Sequence, residues 1–328
     1  MKRTLAVLAV SLLAACAAQQ TREQSLVNRA GEALGGAQRD AVRTVSVKGT
    51  IKQWEPEQSD VPGGEMRFAN EANWEFTQDL QKRVSRADWE KKFAYPSPRT
   101  FKYSEIVTPD AGYVLGVDTN GRNAQSQKMN PPAHSMSGLR LATTQREQRR
   151  GAIGPLVLAM RTNPERVQPA LDLQVGGRSY PAVSYEGLTI GFDPQTGLPA
   201  VVRSLDYDNV WADVTYDIVF SDWRNVPGAG PTAFNRRYLL NGRTVQETQF
   251  SDFRVNQPIE AAKFEVPAEL KGDAAKPAAG NVPYQWVIRR QFIGTYLDSE
   301  HRSFDTRATS SLRLNELAPG VFHVVGGS

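Results

Sequence analysis

The amino-acid sequence predicts a mainly β (α+β) protein built on a meandering antiparallel sheet of roughly ten strands, with helices on one side of the sheet. Segments in which polar and apolar residues alternate recur along most of the chain, and turn sequences rich in Gly, Pro, Asn and Asp separate them. Helical spacing of apolar residues is confined to two regions. With 40% hydrophobic and 23% charged residues in 328 positions, the chain has enough apolar side chains to bury a core.

The alternation that predicts strands is clearest from Val210 to Phe220, where Val214, Tyr216 and Ile218 share one apolar face. Asn241-Gly242 separates two further alternating segments and predicts a hairpin turn. Strands are predicted at residues 45–54, 65–69, 73–78, 100–107, 111–117, 171–175, 178–185, 188–192, 200–207, 210–220, 232–240 and 243–253.

Two regions of the chain predict helices. The first covers residues 22–34, where Thr21 and Gln24 form a capping-box pattern and Gly35-Gly36 ends the helix. The second lies between residues 136 and 160 and holds one or two helices, with apolar residues on both sides of a polar run.

Two sets of side chains have alternative interpretations. Nine aromatic residues between Trp54 and Tyr103 either fill the inner face of the sheet or line a ligand cavity, and core filling is the preferred interpretation. Arg146, Arg149 and Arg150 are predicted to lie on a solvated helix face, and the alternative is a contact with anionic lipid head groups.

The chain begins with the pattern of a secretory signal peptide over residues 1–15. Lys2 and Arg3 precede an apolar run from Leu5 to Leu13, and small residues follow it. This run is shorter than the roughly 20 residues that a membrane-spanning helix needs. The sequence therefore predicts an exported protein without a spanning segment.

Cys16 is the only cysteine of the chain. The sequence Leu13-Ala14-Ala15-Cys16 resembles the bacterial lipobox, in which the cysteine is acylated and becomes the first mature residue. This resemblance implies a lipoprotein held on a membrane surface through Cys16, since two or more acyl chains give stable anchoring. Ala17 stands where an Asp would imply inner-membrane retention, so the resemblance implies the outer membrane of a bacterial cell, facing the periplasm. The alternative is an ordinary signal peptide that contains a cysteine.

Composition and charge exclude several classes of function. Lys and Arg number 39 against 35 Asp and Glu, and two of the basic residues, Lys2 and Arg3, lie in the predicted signal peptide. So small an excess predicts no nucleic-acid partner. One cysteine excludes intramolecular disulfides and thiolate metal sites. His134 is predicted on a surface loop, His301 at a linker edge and His323 on a strand, so no catalytic residue, metal ligand or cofactor is assigned.

The segment from Phe253 to Pro267 contains the phrases Phe-Arg-Val-Asn-Gln-Pro-Ile and Phe-Glu-Val-Pro. Together with the lipobox, the first helix and the long meander, these phrases resemble the LolA/LolB-like outer-membrane lipoprotein-carrier fold over residues 25–268. The resemblance implies a domain at 16–268 with a curved half-barrel sheet, helices on its concave side, and an apolar cavity for a lipid or acyl ligand. Val214, Tyr216 and Ile218 are the predicted lining residues, because their face is continuously apolar.

A second resemblance lies near the end of the chain, in residues 310–328. The phrase Leu-Ala-Pro-Gly-Val-Phe, which begins at Leu317, is similar to the opening strands of metallo-β-lactamase-fold hydrolases. Members of that family carry a His-x-His-x-Asp-His zinc motif further along, and this sequence contains no such motif. The resemblance therefore implies zinc only if a complete domain of this kind follows, with residues 269–309 as the linker to it.

Three hypotheses for the function remain. The leading one is an envelope lipoprotein whose half-barrel domain binds an apolar ligand or a partner protein, without catalysis within this chain. The alternative is the N-terminal accessory portion of a lipid-anchored, zinc-dependent hydrolase whose catalytic part lies beyond residue 328, and only in that case is the protein an enzyme. The third is a structural envelope lipoprotein with a filled core.

The predicted acylation of Cys16 can be tested by measuring whether the protein associates with membranes. The wild-type protein should partition with membranes when it is expressed in a bacterial host, and Cys16→Ala should release the protein or leave its signal peptide uncleaved. Fractionation followed by immunoblotting measures the distribution. Equal membrane association of both forms would contradict the lipoprotein prediction.

Overall fold

The computed structural model describes residues 20–55, 59, 61, 64–95, 97–119, 121, 124–129, 131–208, 212–272, 274–277 and 313–325. The predicted signal peptide, Cys16, His301 and most of the predicted linker lie outside these residues. None of the helices in the described ranges has the length and apolar character that crossing a membrane requires.

The helices are α1 (Arg22–Ala33), α2 (Ala37–Asp40), α3 (Ala124–Met129), α4 (Gly138–Gly151), α5 (Ile153–Thr162) and α6 (Ala268–Lys271). The strands are β1 (Thr44–Glu55), β2 (Arg67–Asp79), β3 (Val84–Phe93), β4 (Arg99–Val107), β5 (Gly112–Val117), β6 (Ala133–Ser135), β7 (Val167–Pro169), β8 (Leu173–Val175), β9 (Arg178–Tyr180), β10 (Ala182–Tyr185), β11 (Leu188–Phe192), β12 (Pro199–Asp208), β13 (Ala212–Val226), β14 (Gly230–Leu240), β15 (Arg243–Val255), β16 (Arg313–Ala318) and β17 (Val321–Val325).

One large antiparallel sheet organises the fold. Its 13 strands follow the order β6-β5-β4-β3-β2-β1-β15-β14-β13-β12-β11-β10-β7. Strand β1 lies near the middle and pairs with both β2 and β15, so the two arms of the meander meet there. The sheet curves without closing into a barrel, which confirms the predicted fold class. Two further hairpins, β8–β9 and β16–β17, form separate small sheets.

The helices cover the two ends of one face of this sheet. Helices α1 and α5 pack together over one end, where Leu156 and Met160 share a buried cluster with Ile190. Helix α4 begins over the other end, where Leu141 packs with Val114. Helix α4 also contacts strands between these ends, since Gln148 bonds Ser85 of β3 and Arg150 bonds the Tyr216 carbonyl oxygen of β13, and a space remains between the helices and the middle of the face.

Local sequence signals set the ends of several elements. The Thr21 hydroxyl accepts a hydrogen bond from the backbone N–H of Gln24 at 3.2 Å, and the Gln24 side chain accepts one from the N–H of Thr21 at 3.3 Å, which confirms the predicted capping box. Asn241 and Gly242 both have positive φ in the turn between β14 and β15, as the Asn-Gly hairpin predicts.

Strand β3 is a finding that the sequence does not predict. Its charged residues alternate with an inner face of Ser85, Ala87, Trp89, Lys91 and Phe93, in which small and charged residues interrupt the apolar pattern. Pairing with β2 and β4 fixes its place in the sheet. The two strands predicted at 65–69 and 73–78 are in fact the single strand β2, because Asn70 to Ala72 continue the pairing with both β1 and β3.

The surface position predicted for His134 is wrong. His134 is buried on β6, opposite Val114 of β5, and its Nδ1 lies 2.7 Å from the carbonyl oxygen of Pro131. A short edge strand of three residues leaves too little alternation in the sequence to reveal this burial.

Gly49 marks the point where β1 and β15 approach most closely. The register between these strands shifts between Lys48 and Gly49. A Cβ at position 49 would clash with the backbone oxygen of Gln249 and lie 3.2 Å from the Cα of Phe250. Because both of these atoms belong to the backbone, neither can move without disturbing the hydrogen bonds between β1 and β15.

We expect Gly49→Ala to lower the free energy of unfolding by about 1–3 kcal/mol, the usual cost of forcing an extra carbon into a packed site. Urea unfolding followed by circular dichroism measures it. Gly272→Ala is the matched control, because a Cβ at Gly272 meets nothing within 4 Å. Equal unfolding midpoints for both variants would contradict the close approach at Gly49.

Candidate functional site

A cavity of about 690 Å³ lies between the middle of the sheet and the helices. Strands β1 to β4, β14 and β15 form its floor, and α2, α4 and α5 supply its rim and roof. Protein interiors contain few voids larger than a water molecule, which occupies about 30 Å³ in the liquid. The volume instead falls within the range of about 300–1,000 Å³ that is usual for small-molecule sites.

Four aromatic residues form what we call the aromatic ladder across the floor. Trp74 of β2 lies directly opposite Trp89 of β3, and Trp89 lies opposite Tyr103 of β4. On the other side, Gly49 of β1 is opposite both Trp74 and Phe250 of β15. Ring centroids along the ladder are 6.0 to 6.1 Å apart.

Gly49 makes this ladder continuous. A side chain at that position would stand between Trp74 and Phe250, whereas its absence allows the two rings to stack at 6.0 Å and 21°. The same glycine therefore satisfies two requirements, the close approach of the strands and the contact between the rings.

The aromatic residues divide between the core and the cavity. Phe93 and Phe101 are buried and pack against each other, as core filling predicts. Trp74, Phe76 and Trp89 are only half-buried, and they line the cavity. These three residues also pack against buried apolar clusters, so core filling and cavity lining both apply to them.

Two arginines lie at the α4–α5 side of the cavity. Arg39 of α2 donates a hydrogen bond to the Thr232 hydroxyl at 3.1 Å. Arg236 of β14 shares a hydrogen bond with the Tyr238 hydroxyl, and its guanidinium carbon lies 4.7 Å from the ring centroid of Phe250. The Arg236 guanidinium is thus adjacent to the Phe250 end of the aromatic ladder.

Burial lowers the pKa of both arginines. Burial, with the nearby charge of Arg236, lowers the pKa of Arg39 to about 10. Burial also lowers the pKa of Arg236. Both groups remain cationic at neutral pH, so this side of the cavity carries positive charge.

The predicted solvated face of α4 is wrong for Arg146 and Arg150, whereas Arg149 is exposed as predicted. The Arg150 side chain is 0% exposed, and its guanidinium lies 4.1 Å from the ring centroid of Tyr216. It also donates hydrogen bonds to Glu147 at 3.0 Å and to the carbonyl oxygen of Tyr216 at 3.1 Å. Arg146 forms an ion pair with the buried Asp206. The polar run of α4 therefore faces the sheet, and burial raises the pKa of Glu147.

The three predicted lining residues are buried beside the cavity rather than on its wall. Val214 and Tyr216 pack in one buried cluster, and Ile218 packs in the cluster under α5. They lie on the helix-covered face of the sheet, as predicted, but Arg150 covers Tyr216 there. A ligand contact for Val214, Tyr216 and Ile218 stays a prediction.

A buried ion-pair network holds the beginning of α4 on the sheet. Arg140 donates hydrogen bonds to Glu105 of β4 at 2.8 Å and to Asp118 at 2.6 Å. All three side chains are at most 6% exposed. The network fixes one end of the helix that forms the cavity roof.

Comparisons with known proteins identify no family. No family model matches the chain, and no curated protein matches its sequence. One similar solved structure comes from Vibrio parahaemolyticus and is provisionally described as an outer membrane lipoprotein-sorting protein domain, with 11% identity, a TM-score of 0.41, and coverage of 73% of this chain and 95% of that one. Another is an uncharacterized conserved protein from Thermus thermophilus, with 9% identity, a TM-score of 0.28, and coverage of 75% and 95%. At these TM-scores neither likeness bears on function.

The part of the chain that the structure describes contains no cluster of candidate metal ligands. No group of three or more His, Cys, Asp or Glu residues is placed there to hold a metal ion. The cavity is distinguished by its shape, its aromatic floor and its four lining arginines, Arg39, Arg43, Arg140 and Arg236.

Removing Arg140 should destabilise the protein strongly. We expect Arg140→Met to lower the free energy of unfolding by about 3–5 kcal/mol, because it removes the buried cation that bonds both Glu105 and Asp118. Lys48→Met is the matched control, since its pair with Glu75 is exposed and should contribute less than about 1 kcal/mol. Urea unfolding that shows similar losses for both variants would contradict the role of the network.

Proposed function

We propose that this domain binds an apolar ligand, a lipid or an acyl chain, in the cavity over the aromatic ladder. The observation that carries the proposal is the half-burial of Trp74, Phe76 and Trp89 around a space of about 690 Å³. In a filled structural domain these large side chains would be covered by other side chains of the same chain.

The expected gain from covering these residues is a large part of what binding needs. An aromatic side chain has roughly 200 Å² of surface, and no more than about a third of it is exposed on each of these three residues, so covering one gains at most about 1.7 kcal/mol. Three such residues together supply at most about 5 kcal/mol, before the costs of association are subtracted. The other apolar residues that line the cavity must supply the rest of the about 8 kcal/mol of a micromolar complex.

The proposal places this binding at the bacterial cell envelope. Acylation of Cys16 would anchor the domain on the outer membrane, facing the periplasm, which puts the cavity within reach of lipid ligands. The lipobox resemblance of residues 13–16 supports this location.

A second candidate function is the accessory portion of a metallo-β-lactamase-fold hydrolase with a zinc site in its catalytic domain. Strands β16 and β17 form a hairpin at the residues that carry this resemblance. Leu317 is 70% exposed, and Val321 and Phe322 are also exposed, so the hairpin presents an apolar surface suited to further strands. A coding sequence that places a His-x-His-x-Asp-His motif after this hairpin would establish this candidate.

The proposed function predicts that a neutral apolar fluorophore binds in the cavity. The protein should bind N-phenyl-1-naphthylamine with a micromolar dissociation constant, and Phe76→Asn should weaken this binding about five- to tenfold, because it removes apolar wall from the site. A fluorescence titration measures both constants.

Phe68→Asn is the matched control for this experiment. Phe68 lies on the same strand and is 38% exposed, but it does not line the cavity, so its substitution should change the dissociation constant less than about twofold. A folded wild-type protein that binds no fluorophore at tens of micromolar would contradict the binding function and favour a structural role.

A further inference from the structure

We propose that the ligand is an anionic amphiphile whose acidic head group binds between Arg39 and Arg236, while its acyl chain lies along the aromatic ladder. The inference rests on the proposed function, since it concerns the same cavity and specifies the class of ligand. It commits to a single acyl chain that ends in a carboxylate or a phosphate.

Each of the two guanidinium groups packs against a glycine at the junction between α4 and α5. A Cβ on Gly151 would lie 2.9 Å from Nη1 of Arg236, and a Cβ on Gly154 would lie 2.7 Å from Nη2 of Arg39. Both arginines therefore pack against positions where the helices carry no side chain. Both line the cavity as well, so a ligand in the cavity reaches both groups.

Neither arginine has an acidic partner among the described residues. The contacts of Arg39 are the Thr232 hydroxyl and the Ala229 carbonyl oxygen, and Arg236 shares a hydrogen bond with Tyr238. The buried Nε of Arg236 makes no hydrogen bond within the described part of the chain. Each arginine thus has only neutral partners in contact with it.

The neighbouring charges are already paired within the protein. Asp40 accepts a hydrogen bond from Arg161 at 2.8 Å, and Glu147 accepts one from Arg150 at 3.0 Å. An anion brought to Arg39 and Arg236 would therefore not compete with an existing ion pair. The lowered pKa of Arg39, caused by burial and by the charge of Arg236, agrees with a site that lacks a counter-ion.

The chemistry of the two ends of the cavity selects an amphiphile. Guanidinium groups match the planar geometry of carboxylate and phosphate oxygens and bind them through paired, charge-assisted hydrogen bonds. Bringing an anion to two partly buried cations recovers part of the free energy that their desolvation costs. The aromatic ladder begins at Phe250, 4.7 Å from the Arg236 guanidinium, and extends away across the strands. A charged head with an apolar tail fits both regions at once.

Competition between matched ligands tests this inference. The full chain with Cys16→Ala is loaded with N-phenyl-1-naphthylamine, and palmitate and hexadecanol displace the fluorophore at about pH 8, where a carboxylate is ionised. These competitors share a chain length and differ in the charge of the head group. Palmitate should bind about tenfold more tightly than hexadecanol.

Variants of the two arginines test whether these residues cause the preference for palmitate over hexadecanol. Arg236→Gln and, separately, Arg39→Gln should each bring the ratio of the two affinities close to one, and both proteins should keep the unfolding midpoint of the parent or exceed it, because each loses a buried cation without an acidic partner. Arg237→Gln is the matched control, since Arg237 is the next residue of β14 and is exposed outside the cavity. Its ratio should equal that of the parent.

Short anions separate an amphiphile site from a site for free anions. Acetate and inorganic phosphate at about 10 mM should leave palmitate binding unchanged within about twofold, because they lack the apolar tail. Strong competition by either anion would overturn the inference in favour of a free-anion site. Equal binding of palmitate and hexadecanol, with the fluorophore bound, would also overturn it and leave the proposed function intact. Absence of fluorophore binding would instead reject the proposed function.

Discussion

The width of the sheet is the constraint on which the rest of this structure depends. Thirteen antiparallel strands present a curved face, and the helices α1, α4 and α5 leave a space over its middle. An apolar face must be buried by another layer, or else it remains as a site for a ligand. The cavity of about 690 Å³ follows from this mismatch between sheet and helices, without any special motif.

The interior of the cavity then depends on how the strands align. Trp74, Trp89 and Tyr103 share a floor because β2, β3 and β4 pair with these residues opposite each other. Gly49 extends this floor to Phe250 across β1, where any side chain would separate the rings. The roof depends on charge, since Arg140 and Arg150 hold the two ends of α4 on the sheet through buried hydrogen bonds. Apolar packing shapes the floor, and ion pairs position the roof.

Local signals in the sequence predict much of the fold. The Thr21 capping box, the Asn241-Gly242 turn and the alternation around Ile218 each act over a few residues, and the structure confirms the elements that they predict. Strand β3 escapes such a prediction because its inner face mixes Ser, Ala, Trp and Lys. Only its partners on both sides identify it as a strand.

The candidate site is harder to predict than the fold, because it joins residues that are far apart in the chain. Arg39 and Arg236 come together only through the closure of β1 on β15 and the packing of α5 on α1 and α2. The alternation of residues in β13 predicts which face of the sheet carries Tyr216. It does not predict that Arg150 packs on the Tyr216 ring, because the polar run of α4 is typical of a solvent-exposed helix face. The residues that lie opposite each other across strands, and the side toward which a polar helix face points, can be determined only from the tertiary structure.

Quenching of tryptophan fluorescence by a brominated fatty acid tests the central claim most directly, because bromine quenches only indole rings that it approaches closely. Two of the six tryptophans, Trp74 and Trp89, belong to the aromatic ladder, whereas Trp223 packs against the core under α1 and α5. Quenching by 9,10-dibromostearate should be saturable, should nearly disappear when Trp74 and Trp89 are both replaced by Phe, and should persist in Trp223→Phe. Saturable quenching that survives the loss of both ladder tryptophans would contradict binding in this cavity.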